Sequence, residues 1–181
     1  MDRRDSSIPA LVITGPVGAG KSTMMRALSE LLEQRSIRHV GIDMDNLRWV
    51  YPSPPGDRFS VRLGFNNLAA MWPNFQEMEP ECVVIADVVE SPAEIDDYLA
   101  AMPGTRVTVI RLDVPMPVIL QRLEGRECVH RVEWYRQRAP ELQEIMERNH
   151  IGDLVIAAGD RAPEDIAHEI LQRVDPLQGQ A

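Results

Sequence analysis

The chain has 181 residues, 44% of them apolar, with 19 lysines and arginines against 28 acidic residues and a formal net charge of −9. That length suits one domain with a full hydrophobic core and no disulfide or metal staple. A charge this negative argues against function built on broad contact with nucleic acid or an anionic membrane, where neutralised phosphates supply the affinity.

Elements follow one another in a regular order. Ile8 to Thr14 is a short apolar run closed by glycine, and Met24, Met25, Leu28, Leu31 and Leu32 then recur at helical spacing. Ile37 to Asp43 is a second strand. The prolines of Tyr51 to Gly56 break both periods and mark a loop, after which residues from about Asp57 to Met71 resume as helix. Cys82 to Ala86 is continuously apolar, as a strand buried on both faces would be, and Asp87 follows it directly. A helix from about Pro92 to Ala101, a strand from Arg106 to Leu112 and a helix from Pro117 to Glu124 come next. A long helix from about Val132 to Arg148, the strand Leu154 to Ala157 and a helix from Pro163 to Val174 complete the pattern. Five strands in repeated β-α order predict an α/β fold: a five-stranded parallel sheet, doubly wound, with helices on both faces. The polar start, Met1 to Asp5, carries both charge signs, and no run is long enough to span a bilayer, so the expectation is one cytoplasmic domain over residues 1–181.

The strongest motif is Gly15-Pro16-Val17-Gly18-Ala19-Gly20-Lys21-Ser22, which fits G-x-x-x-x-G-K-[ST] at every fixed position and lies between a strand and a helix. Glycines let backbone N–H groups converge on phosphate oxygens, and the helix N-terminus adds partial positive charge. Lys21 is expected on the β- and γ-phosphates of ATP and Ser22 on Mg²⁺, with Thr23 completing the nucleotide-binding set. A dinucleotide fingerprint is not formed, because Thr23 stands where G-x-G-x-x-G needs its last glycine.

The second strand ends in Asp43-Met44-Asp45-Asn46-Leu47-Arg48, beyond the carboxyl ends of the strands where open α/β sheets bind ligands. Asp45 is the candidate base for an acceptor hydroxyl. Arg48, three residues on, shares a face with it if Asp45 opens a helix, and can hold the acceptor's anionic or polar group. Arg58 and Arg62 add positive charge, and as a pair four apart they are expected on one helix face. Six of the nine aromatics, Trp49, Tyr51, Phe59, Phe65, Trp72 and Phe75, fall in the same stretch, either lining an acceptor pocket or filling a local core. Residues of about 44–80 are therefore the expected acceptor-binding region. Arg122-Leu123-Glu124-Gly125-Arg126 offers two arginines able to close over ATP. Asp87 leaves two readings open, Mg²⁺ held through water or a cap on the next turn. His39, His130, His150 and His168 show no ligand spacing, and neither do Cys82 and Cys128.

These stretches resemble small P-loop kinases, the broad group of adenylate, shikimate, gluconate and adenylylsulfate kinases, across about residues 8–174. Asp43-x-Asp45-Asn46-x-Arg48 is similar to the D-G-D-N-x-R of adenylylsulfate kinases, and Asp45-x-x-Arg48 to the D-x-x-R of polynucleotide 5′-kinases. Arg122 and Arg126 are similar to the paired arginines that open adenylate kinase lids. That resemblance implies a three-layer P-loop fold with a helical acceptor-binding insertion and a short lid at about 122–132. It also implies an adenine contact for Arg122, a catalytic phosphate contact for Arg126, and a place for Gly159 and Arg161 around the adenine. No D-x-x-G follows Asp87 and no N/T-K-x-D occurs, so a GTPase is not indicated. The expected activity is transfer of the γ-phosphate of Mg-ATP to a hydroxyl of a small molecule. A nucleotide or polynucleotide 5′-kinase and a non-enzymatic ATP-binding switch are the alternatives, and neither the acceptor nor the oligomeric state is indicated.

Overall fold

The structure is a computed structural model that describes residues 7–125 and 129–174. Its elements run β1 (Ile8–Thr14), α1 (Lys21–Gln34), β2 (His39–Asp43), α2 (Met44–Leu47), α3 (Val61–Gln76), β3 (Cys82–Ala86), α4 (Glu94–Ala101), β4 (Thr105–Asp113), α5 (Met116–Glu124), α6 (Val129–Arg148), β5 (Leu154–Ala157) and α7 (Pro163–Val174). All strands are parallel, in the order β2-β3-β1-β4-β5. The sheet with helices on both faces is the architecture that the strand-helix alternation predicts.

Successive residues of a strand point to opposite faces, so the central strand feeds two separate cores. Leu11 and Ile13 join α1, α5 and α7 through Leu28, Leu32, Ile119, Ile166 and Ile170. Ala10 and Val12 join α3 and α4 through Phe65, Leu68, Trp72 and Tyr98. With both faces covered, β1 and β3 are apolar without alternation, which is why periodicity alone could not orient them.

Several boundaries move. The helix expected from Asp57 begins instead at Val61, because the Asp57 carboxylate accepts hydrogen bonds from Val61 N and Leu63 N and so caps α3 from outside it. Arg58 therefore precedes the helix and shares no helical face with Arg62. At its other end α3 runs past Pro73 to Gln76, since a proline in the last turn removes one N–H while its carbonyl still accepts from Glu77 N. The four-residue α2 is too short to show a period. Among the described residues no helix is long and apolar enough to cross a membrane.

Cys82 opens β3 fully buried, and removal from water, with a smaller contribution from Glu81, pushes its thiol up to about 12. The fold thus accommodates the neutral thiol. That contribution to stability is intact below the unfolded thiol's pKa of about 8.5 and is lost as pH rises through the folded value. At pH 8 the Cys82 peptide is expected to resist alkylation in the native protein and to react on unfolding, read by mass mapping.

Candidate active site

Three strand ends set the site. Ile13 of β1 and Asp43 of β2 are both in register with Ala86 of β3, so Gly15, Asp45 and Asp87 leave the same edge of the sheet. Two strand spacings, about 10 Å, separate β1 from β2. The β3 exit is tied to the β1 exit: Asp87 N donates to Ile13 O at 3.1 Å, and Val89 N donates to the buried Thr14 hydroxyl at 2.9 Å.

Beyond Thr14 the loop turns on glycines at positive φ, +89° at Gly18 and +97° at Gly20. A Cβ on Gly18 would also come within 3.0 Å of Ile119 and 3.2 Å of Leu123, so α5 presses on the loop from behind. Gly20 supplies no side-chain cap to α1, and no acidic residue stands in the helix's first turn. The first N–H groups of α1 are thus left for an anion. Lys21 Nζ rests on the carbonyls of Gly15 (3.1 Å) and Pro16 (3.2 Å), its stem along the loop it would serve. Ser22 follows in the same turn and is half-buried.

On the β2 side the cap is Asp43, not Asp45. The Asp43 carboxylate accepts a hydrogen bond from Asp45 N, and Asp45 itself is exposed. Asn67 braces α2 against α3 by donating to Leu47 O at 2.8 Å. Arg48 closes α2 and runs inward: its Nη2 donates to Asp87 Oδ2 at 2.7 Å, and only 11% of its side chain is exposed.

Asp87 is buried, and protein donors occupy both of its oxygens. Oδ1 accepts from Val88 N, and Oδ2 accepts from Arg48 and from the hydroxyl of the fully buried Tyr98. Burial pushes the Asp87 carboxyl above its ordinary range against the pull of Arg48, Tyr98 and Val88. For Arg48 burial is the largest effect and works the other way, but Asp87, Tyr98 and Asp45 together outweigh it and hold the guanidinium charged. Of the two sequence readings, the bond to Val88 matches the turn-capping one, and a carboxylate engaged in this way does not exclude the one in which it holds Mg²⁺ through water. Tyr98 escaped sequence reasoning. Its only signal is that a buried tyrosine needs a partner for its hydroxyl.

Gly64 of α3 makes room for this pair. A Cβ there would lie 2.8 Å from Arg48 Cγ and 2.9 Å from Arg48 Nε, parts of an arm that cannot swing while its tip is bonded to Asp87. Gly64→Ala is expected to cost about 1–3 kcal/mol by overpacking, measured as a lowered denaturant midpoint, although alanine normally favours a helix.

The other basic candidates divide. Arg122 donates to Ala19 O at 3.3 Å and to Gly159 O, bridging the phosphate loop and the turn after β5. Arg161 is paired with Glu169 of α7 at 2.7 Å and donates to Ala157 O. Arg58 lies over the Phe59 ring at 5.2 Å, and Arg62 lines a groove of about 530 Å³ between α3 and α4 with Asp57 and Asp97. Arg126 lies outside the described residues, as does part of the expected lid.

The aromatics divide too. Phe65 and Trp72 are core, Phe65 edge-on to Tyr98 at 4.9 Å and Trp72 Nε1 donating to Pro103 O at 3.1 Å. Trp49 and Tyr51 are 85% and 96% exposed, and Phe59 meets Trp134 of α6 at 6.2 Å.

Solved structures match this arrangement over nearly their whole length. Shikimate kinase from Acinetobacter baumannii, in complex with shikimate, is 20% identical with a TM-score of 0.59, over 93% of this chain and 94% of that one. A gluconokinase from Sinorhizobium meliloti 1021 is 20% identical with a TM-score of 0.58, over 97% and 95%. The tunicamycin resistance protein of Deinococcus radiodurans is 20% identical with a TM-score of 0.57, over 92% and 95%. The chain has the three-layer P-loop kinase fold. At such identities the likeness establishes the fold alone, and no protein-family description and no curated protein matches the chain.

Proposed function

We propose that the protein is a phosphotransferase that moves the γ-phosphate of Mg-ATP to a hydroxyl of a small molecule. The observation that carries this reading is the common sheet edge. An uncapped, glycine-turned helix start with Lys21 and Ser22 faces an exposed carboxylate, Asp45, across about two strand spacings. Kinases of shikimate and of gluconate among the structures of like fold support a hydroxylated acceptor.

The donor set of the loop fits a nucleotide triphosphate and its metal. Backbone N–H groups of Gly18 and residues 20–22 would bind phosphate oxygens, Lys21 would turn to the β- and γ-phosphates, and Ser22 would hold Mg²⁺. When bound, Mg²⁺ neutralises charge that develops on the transferring group. Asp45 orients the acceptor hydroxyl and takes its proton, so that the oxygen attacks the γ-phosphorus as the bond to the β-phosphate oxygen breaks and ADP leaves. Arg48 donates a hydrogen bond to the acceptor's body. Arg122 fixes the spacing between the phosphate loop and the turn at Gly159, where backbone receives the adenine.

The test is ADP release from Mg-ATP across sugars, sugar acids, nucleosides, oligonucleotide ends and hydroxylated antibiotics, wild type beside Lys21→Ala. Lys21-dependent release with one small-molecule class is the expected result. Release only with nucleosides or oligonucleotide ends moves the protein to the 5′-kinases, and ATP binding with no acceptor-dependent release makes it a nucleotide switch.

A further inference from the structure

The arginine that closes α2 is placed by groups belonging to other elements. Its Nη2 donates to Asp87 Oδ2 at 2.7 Å, and its Nε is packed against Gly64 of α3, where an added Cβ would lie 2.9 Å away. With the stem walled in and the tip bonded, the direction of the guanidinium is only as definite as the plane of the Asp87 carboxylate.

That plane is held at both oxygens. Oδ1 accepts from Val88 N at 2.7 Å, and Oδ2 accepts from the Tyr98 hydroxyl beside the bond from Arg48. The bond to Val88 alone would leave the carboxylate free to tilt, because the last torsion of an aspartate is broad. The bond from Tyr98 removes that freedom. Nor can the hydroxyl follow a moving carboxylate, for Tyr98 is fully buried, its ring edge-on to Phe65 at 4.9 Å in the core shared with Leu68 and Trp72. Phe65 adjoins Gly64, so α3 both walls the arm of Arg48 and packs the ring that steadies its tip. A phenylalanine would fill the same core, and what the hydroxyl adds to the ring is the bond to Asp87. The segment that carries Asp87 is in turn fastened to β1, through Asp87 N to Ile13 O and Val89 N to the Thr14 hydroxyl. Arg48 is thereby held in register with the strand that ends in the phosphate loop.

We propose that Tyr98 is a positioning residue for phosphoryl transfer: its hydroxyl fixes the Asp87 carboxylate, and the carboxylate aims the Arg48 guanidinium at the acceptor. This rests on the kinase reading and adds to it a residue buried too deeply to touch substrate.

Tyr98→Phe keeps the ring and removes the hydroxyl. The first readout needs no acceptor: rotation about the Arg48 Cζ–Nη2 bond, followed by nitrogen NMR of the guanidinium, whose signals are identified by their loss in Arg48→Lys. Wild type is expected to show hindered rotation, and Tyr98→Phe to speed it by at least about tenfold, the change that loss of one hydrogen bond to a charged group allows. A ring that only fills the core would lower the variant's thermal midpoint without moving that rate. Free rotation in wild type, or an unchanged rate in Tyr98→Phe, overturns the proposal, and the first of these outcomes stands even if the variant does not fold. The second readout is kinetic and uses the acceptor class that gives Lys21-dependent ADP release. Tyr98→Phe is expected to raise the acceptor KM by about tenfold and to leave the KM for ATP as it is. In an Arg48→Lys background the same substitution is expected to change the acceptor KM by less than about twofold, because the two residues act through one path. An equal effect in both backgrounds overturns the proposal. Absence of Lys21-dependent release from every acceptor class defeats the kinase reading instead, and the Arg48 rotation rate still decides whether Tyr98 positions the guanidinium.

Discussion

Lys21→Ala is expected to lower phosphoryl transfer by about 10³-fold, the upper range for loss of one preorganised charge-stabilising donor, with little change in stability. The two halves of that expectation have separate causes. Lys21 Nζ donates to the carbonyls of Gly15 and Pro16 within its own loop, and transfer places negative charge where that ammonium would move. Alanine at the first residue of α1 is a good helix former, and the residues that anchor the helix, Met24, Leu28 and Leu32, are untouched. ADP release and a thermal midpoint on the same preparation check both halves. Full activity in the variant would remove the loop from the chemistry, and a collapsed midpoint would make Lys21 a structural residue.

Asp45→Asn is expected to reduce the turnover number by about 10²-fold or more, the range for losing a positioned general base, with the KM for ATP unchanged. The substitution is clean because Asp43, and not Asp45, caps α2, so the helix keeps its start. Asp43→Ala is the contrasting variant. It is expected to cost about 1 kcal/mol of stability through the lost cap, and to lower activity only as far as α2 frays. Wild-type turnover in Asp45→Asn would take the carboxylate out of the reaction.

What could be read ahead of the structure follows from the range of each interaction. The loop at residues 15–22 and the strands at Ile8–Thr14, Cys82–Ala86 and Leu154–Ala157 are written in contiguous residues, so spacing and apolar runs suffice to find them. The site's polar core is not local. Arg48 and Asp87 stand 39 positions apart, and Asp87 and Tyr98 meet only because α4 folds back beneath the end of β3. Even so, both members of the ion pair were candidates on separate grounds, one as an acceptor ligand and one as a metal carboxylate. Spacing could not say that each would occupy the other. Likewise Asp57 looks like the first residue of a helix because a capping carboxylate and a first-turn carboxylate have the same composition signal. Arg161 points to α7 for a reason outside its own segment, the placement of Glu169 eight residues later.

The two cores on opposite faces of the sheet divide the molecule by task. Ala19 of the phosphate loop belongs to the core with α1, α5 and α7, whereas Met44, which precedes Asp45, and Tyr98, which orders Asp87, belong to the core with α3 and α4. The sheet separates the two, and α6 is the helix that reaches both, through Ala139 on one side and Met146 on the other. Packing changes around Phe65, Leu68 or Trp72 therefore act first on the layer that holds Met44 and Tyr98, and not on the one that holds Ala19. On the kinase reading, a fold partitioned in this way can change its hydroxyl compound through one layer while the other keeps its phosphate loop.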